Sequence, residues 1–263
     1  MSQPGWLPDP TDPRAPSRDV WDALTPAERA RVVAALPAEV PMDLHPPEGD
    51  LHRAPKDKAR DALDDFFKTI GRRVYVTSEI ATYYPGEARF CPDVLAVLDV
   101  ETHPRSKWVV ADEGKGLDFV IEVHVAGDRA KDFERNVVRY ARLGIPEYFA
   151  FDRGASRLVG YRLPEGATTY ERIVPQAGRF HSNVLGLDLL VENGLLRFFH
   201  GTAPLLFAEE LVARLNATVA EVLESRDAAT ARADDEARRA DVLEARVREL
   251  EAELARRDEG PPR

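Results

Sequence analysis

The segment FVIEVHVAGDRAKDFERNVVRYARLGIPEYFAFD, Phe119 to Asp152, restricts the fold of this chain more than any other. It opens with period-two alternation. Phe119, Ile121, Val123 and Val125 fall on one face of a strand, and Val120, Glu122 and His124 fall on the other. Asp128 or a neighbour then caps a helix of about four turns, whose inner face carries Phe133, Val137 and Tyr140 and which Gly144 stops. After Ile145-Pro146, EYFAFD reads as a second strand. Strand, helix and strand make a βαβ unit, whose crossover is right-handed and whose strands are parallel. The fold class is therefore α/β, with a mixed central sheet flanked by helices.

Within that unit Glu122 and His124 are out of character for a buried strand. An unpaired buried carboxylate costs several kcal/mol, roughly, so Glu122 requires a cation, a metal or a strong donor. A complement precedes it in CPDVLAVLDV, which reads as a strand. Pro92 can end the ladder there and free Asp93 for a site. If the two strands pair, Asp93 and Glu122 converge on one cleft. Converging carboxylates repel unless they share a proton or bind a divalent cation, and hard oxygens suit Mg²⁺ or Mn²⁺. Such an ion polarises a phosphodiester and lowers the pKa of a bound water, with His124 placed to orient or deprotonate that water.

Around this unit the chain divides into three parts. Residues 1–49 read as an N-terminal arm, flexible to about residue 16. Short helices follow, one capped by Ser17 and one with a capping box formed by Thr25, Pro26 and Glu28. Residues 50–203 form the main domain. There Ala59, Leu63, Phe66, Phe67 and Ile70 mark a packed helix ending at Gly71. RVYVTSEIATYY reads as a strand, SKWVVADEGKG as a loop, LVGYRL and YERIVP as strands, and LDLLVENGLLRFF as a hairpin turning at Asn193-Gly194.

From residue 204 to 263 the pattern changes. Ala208, Val212, Leu215, Val219 and Val222, and later Leu243, Val247, Leu250 and Leu254, recur in steps of four and three. Arg226 and Glu236 interrupt the seam between them. This reads as a long coiled-coil helix that makes the protein a homo-oligomer; the competing reading is a single solvated helix held by charge pairs. The tail EGPPR is expected to be disordered. There is no solenoid repeat.

Bulk properties narrow the function classes. Cys91 is the single cysteine, which excludes an internal disulfide framework and a multi-cysteine zinc site. No apolar run approaches the roughly 18–20 residues of a membrane span, and the N-terminus lacks the pattern of a signal peptide, so a cytoplasmic protein is expected. A net charge of −10 means that any grip on nucleic acid depends on a local basic patch or a metal ion.

Taken in order, Pro92-Asp93, Ile121-Glu122-Val123, the helical stretch Asp132 to Tyr140, Gly144-Ile145-Pro146-Glu147-Tyr148 and Asp152 resemble the Uma-two family. That family is a bacterial branch of the restriction-endonuclease-like PD-(D/E)XK superfamily, and the resemblance runs from about Asp50 to Phe199. It implies a restriction-endonuclease-like domain that hydrolyses DNA phosphodiester bonds. It also implies a metal, Mg²⁺ or Mn²⁺, held by Asp93, Glu122 and the backbone carbonyl of Val123, with a lysine completing the site. The chain departs from that pattern at the lysine. The superfamily position, two residues after the glutamate, holds His124, and the position the Uma-like branch uses, four residues after Asp132, holds Asn136. Lys131 and Arg135 are nearby, with Arg135 able to reach the cleft only in a rotated helix register.

His124 is thus a ligand or base, or else an ordinary strand histidine, and Asn136 is a candidate site residue. Tyr140 and Tyr148 read as core. Cys91 beside Pro92 lacks the orienting partner of a nucleophile. His45, His52, His103, His181 and His200 show no ligand spacing and read as surface or loop. Together with the resemblance these residues imply one of two functions: a metal-dependent DNA endonuclease, or a catalytically degenerate nuclease fold that binds a protein partner or assembles through its coiled coil.

Overall fold

The computed structural model describes residues 6–41 and 49–258. It divides into two units, 1–207 and 208–263. The expectation for the tail EGPPR lies outside the described residues.

The first unit is built on a six-stranded sheet in the order β1-β3-β5-β6-β7-β8. These strands are β1 (Val74–Thr77), β3 (Val94–Leu98), β5 (Phe119–His124), β6 (Glu147–Asp152), β7 (Arg157–Arg162) and β8 (Glu171–Ile173). β5 and β6 run parallel, as the βαβ reading requires, and every other neighbouring pair is antiparallel. β2 (Ala81–Tyr83) and β4 (Lys107–Val109) form a separate parallel pair. β9 (Phe180–Ser182), β10 (Leu187–Glu192), β11 (Leu195–His200) and β12 (Ala203–Pro204) form a four-stranded antiparallel sheet. Its central hairpin turns at Asn193 and Gly194, whose φ values of 52° and 71° are those of a type I′ turn.

The main sheet is buried on both faces, and strand alternation sorts its side chains. Phe119, Ile121, Val123, Phe149 and Phe151 face Leu63 and Phe67 of α3 (Asp50–Thr69) together with Leu189, Leu196 and Phe198 of the second sheet. Val120, Tyr148 and Ala150 face the other way, against Tyr140 and Ile145. Towards the N-terminus, α1 (Arg18–Ala23) and α2 (Pro26–Ala35) contribute Trp21 and Val32 to a third cluster with Ala81, Tyr83 and Val109. The capping box of α2 forms as expected, whereas Ser17 makes no side-chain cap. Arg14 and Ala15 bridge to Ala88 and Pro85, so this stretch is pinned where the sequence suggested a flexible arm.

Several elements differ from expectation, each for a visible reason. RVYVTSEIATYY is two strands, because Glu79 takes φ 57° and donates its N–H to the Pro92 carbonyl at 3.0 Å. SKWVV is not loop: it forms β4 and the short helix α4 (Val110–Glu113), anchored by the fully buried Trp108, whose indole donates to the Lys115 carbonyl at 3.0 Å. α3 starts at Asp50, well before its periodic signal, and carries Pro55 inside it. A proline there leaves the carbonyl four residues earlier without its helical donor. Arg153 supplies one, donating Nη1 to the Leu51 carbonyl at 2.6 Å.

The crossover helix begins as a π-helical turn, Lys131–Arg135, and continues as α5 (Asn136–Arg142), about three turns in all rather than four. Asp128 caps its start by accepting from the Ala130 N–H at 3.0 Å, and Gly144, at φ 75°, ends it.

The second unit is one long helix, α6 (Ala208–Asp258). Leu215, Val219, Val222, Leu243, Val247, Leu250 and Leu254 of its apolar seam are all exposed. Among the described residues no helix is long and apolar enough to cross a membrane.

Candidate active site

The β3–β5 register pairs Val94 with Ile121, so one step outward Asp93 stands opposite Glu122. Pro92 has no N–H with which to continue the ladder. The Asp93 carboxylate takes over instead, and its Oδ2 accepts the Val123 N–H at 2.6 Å. The two carboxylates read from the sequence are thus brought together by strand pairing.

The helix closes over them. Glu122 is 2% exposed, and its Oε1 accepts the Tyr140 hydroxyl at 2.5 Å and the Asn136 amide at 3.4 Å. That amide also lies 3.5 Å from Asp132 Oδ1. Asp132 Oδ2 in turn stands 3.3 Å from His124 Nδ1. Asp93, Glu122 and Asp132 therefore form one cluster with His124 and Asn136 between them. All five are buried.

Electrostatics follow from that crowding. Burial holds Glu122 well above the ordinary carboxylate range, and Asp93 and Asp132 raise it further, against the pull of Lys131 and the Tyr140 hydroxyl. Burial also raises Asp132, with Lys131 and His124 opposing and Asp93 adding to the rise. Burial lowers Lys131, but the fields of Glu122, Asp132 and Asp93 outweigh it and the ammonium is held protonated. The cluster is short of positive charge.

A cavity of about 1050 Å³ opens over it, lined by Asp93, Val123, His124, Asp132 and Asn136, with Glu122 beneath them. Lys131 and Arg135 line the same cavity. A π turn rotates the residues that follow it relative to those before it. Here it serves both demands, with Asp132 and Asn136 turned onto the strand while Lys131 and Arg135 reach the opening. Arg135 is paired with Asp128 at 2.6 Å.

Three residues that sequence reasoning passed over stand around the cluster. His52, read as loop, lies in the first turns of α3 with its Nε2 against the Val123 carbonyl. Lys56, 1% exposed, pairs with Glu79 and lies 3.6 Å from Asp93 Oδ1. Tyr140 is core, as expected, yet its hydroxyl is a site group. Of these only Tyr140 carried a signal, a tyrosine on the inner face of the helix above Glu122. Cys91 behaves as the sequence indicated: burial, with the fields of Glu122 and Asp93, pushes its thiol up to about 12, which leaves it a poor nucleophile. His181 pairs with Asp188 at 2.7 Å, and His45 lies outside the described residues.

The donor chemistry suits a hard cation. Asp93, Asp132, Glu122 and the Val123 carbonyl offer only oxygen, and a divalent ion relieves the repulsion that raises the carboxylates. Among the described residues no group of three or more His, Cys, Asp or Glu side chains is placed to hold a metal ion by itself.

A mixed sheet flanked by helices, with acidic residues gathered where an antiparallel strand meets a βαβ unit, defines a nuclease-like class of protein. The chain belongs to the Uma2 family, described as "putative restriction endonuclease", which matches residues 41–192, more than half of its length. Among solved structures, one similar chain is a putative nuclease belonging to DUF820 from Anabaena variabilis ATCC 29413. It is 16% identical with a TM-score of 0.38, over 49% of this chain and 73% of that one. No curated protein matches the chain.

Proposed function

We propose that the protein is a Mg²⁺- or Mn²⁺-dependent endonuclease that hydrolyses DNA phosphodiester bonds. The observation that carries this reading is the convergence of Asp93, Glu122 and Asp132, each buried, beneath an open cavity. Asp93, Glu122 and the Val123 carbonyl would hold the ion. When bound, it would polarise the phosphate and acidify an attacking water.

The chain's own groups do the rest. His124 Nδ1 stands 3.3 Å from Asp132 Oδ2, and with the ring oriented by that carboxylate Nε2 would take the proton of the attacking water. Asn136 spaces Glu122 from Asp132 and donates towards both. Lys131, exposed at the cavity, supplies a positive charge that draws the phosphate in and offsets the carboxylates. It stands in for the lysine missing from the positions of His124 and Asn136. We also assign the exposed seam of α6 to self-association as a homo-oligomer.

Purified protein is expected to cleave plasmid DNA only with Mg²⁺ or Mn²⁺, and Glu122→Ala to lose at least about a hundredfold in rate, the usual order for removing a key electrostatic group. Metal-independent cleavage, or equal cleavage by the variant, defeats the proposal. Absence of any cleavage favours a second reading, supported by His124 and Asn136 at the lysine positions: a nuclease fold retained as an assembly or partner-binding module.

A further inference from the structure

A second cavity, of about 220 Å³, lies between the π-helical turn and the β7–β8 edge of the main sheet. Three arginines line it, each from a different segment: Arg129 ahead of the π turn, Arg157 on β7 and Arg172 on β8. The placement is built into the sheet. Arg157, Val159 and Tyr161 alternate onto one face of β7, and Arg172 is the cross-strand partner of Tyr161.

Phe133 and Tyr161 give the pocket aromatic walls, and the Arg129 guanidinium lies 4.1 Å over the Phe133 ring while donating to Asp152 at 2.9 Å. Glu134 is the one carboxylate that lines it. Arg157 and Arg172 have no hydrogen-bond or ion-pair partner among the described residues. Three guanidinium groups face two carboxylates, Glu134 and the Asp152 that pairs Arg129, so that even in a chain of net charge −10 there is a local surplus of positive charge with forked donors. Phosphate oxygens are the acceptors such forks match.

The pocket adjoins the candidate active site. Glu134 lines both cavities, and Asp152, which holds Arg129, is the register partner of His124. We propose that Arg129, Arg157 and Arg172 bind a backbone phosphate of the DNA strand being cut, flanking the scissile bond. This rests on the endonuclease reading and gives the acidic protein its local grip on a polyanion.

The test is fluorescence anisotropy of a labelled DNA duplex with the full chain, in Ca²⁺ in place of Mg²⁺, over a salt series from about 50 to about 200 mM. Wild type should show a steep fall of log K with log salt. Arg157→Ala/Arg172→Ala should weaken binding at least about tenfold at low salt, to a similar extent for unrelated sequences, and flatten the slope by about 0.9, one phosphate contact's worth. Arg157→Lys/Arg172→Lys keeps the charge and should keep most of the slope. Both positions are exposed, so the fold is retained.

An unchanged slope and affinity in the alanine variant, beside a wild type that binds and cuts DNA, overturns this inference and leaves the endonuclease standing. Protection of the pocket by inorganic phosphate, with DNA binding unaffected by the substitutions, also overturns it, in favour of a small-anion site. A wild type that neither binds nor cuts DNA removes both.

Discussion

Glu122 concentrates the physics of the site in one residue. Its carboxylate is buried beside two others, and its native pKa is raised above the value of 4.5 that it takes in an unfolded chain. Below about pH 4 the native and unfolded states both hold the proton, and the burial penalty is absent. From about pH 4.5 up to the raised native value the unfolded chain has released its proton while the native state still holds it, so stability falls with rising pH and levels off only once the native carboxyl has ionised as well. Glu122→Gln removes that charge and keeps the shape. In metal-free solution it should therefore melt above wild type at about pH 8, with the difference closing towards pH 4. Mn²⁺ should reverse the order by stabilising wild type through mass action and leaving the variant unmoved. Melting curves across pH decide it, and a difference that stays constant from acid to alkaline pH would remove Glu122 as the source. Tyr140→Phe tests the same residue from the helix side. It deletes the hydroxyl that donates to Glu122 at 2.5 Å and is expected to cost about 1.5–3 kcal/mol by urea denaturation at neutral pH, the range for a hydrogen bond to a charged group. A loss of only about 0.5–1.5 kcal/mol would instead match a hydrogen bond to a neutral carboxyl group at that position.

At the scale of elements, the sheet that carries the site is packed tightly between its own strands. Gly160 in β7 shows the tolerance: a Cβ there would lie 2.7 Å from Phe149 Cε1 and 3.2 Å from Ile173 Cδ1. Phe149 is fully buried and has nowhere to move, so Gly160→Ala is expected to destabilise the protein by about 1–3 kcal/mol, the cost of overpacking, measured as a lower urea midpoint with an unchanged m-value. A neutral result would show that the side chains of the neighbouring strands have slack at this point. The same dependence on distant partners explains what could be read in advance. The β5–helix–β6 unit, the Asn193-Gly194 hairpin and the Thr25 capping box carry their signals within a few neighbouring residues, and Asp93 with Glu122 followed from alternation plus one assumed strand pairing. The early start of α3 did not, because its Pro55 is accommodated by Arg153, 102 positions from the Leu51 carbonyl it serves. His52 and Lys56 reached the site only through that extension. Lys131 was hidden for another reason: a π turn has no periodic signature, and a regular helix gives the wrong register for it.

For the whole molecule, the open question is what covers α6. A helix of 51 residues is about 75 Å long. Along it Leu215 is 63% exposed, Val222 62%, Leu243 66% and Leu254 61%, and these belong to one seam in steps of four and three. A solvated single helix has no use for such a stripe, whereas a second copy would bury it by knobs-into-holes packing. The seam is apolar at both ends and polar in the middle, at Arg226 and Glu236. That pattern sets register at a cost in stability, which implies that each end contributes separately. In static light scattering the full chain should have at least twice the mass of one chain. Leu215→Glu/Val219→Glu and Leu250→Glu/Leu254→Glu should each shift it towards monomer on dilution, and the four together should give a monomer whose first unit melts as before. Association bears on chemistry as well. One site cuts one strand, and two copies on one duplex can cut both, so the endonuclease reading predicts linearised plasmid from the oligomer and mainly nicked circles from the fourfold variant. If the variant remains oligomeric, the seam is not the interface. If it is monomeric and still linearises plasmid at the wild-type rate, assembly serves something other than cleavage.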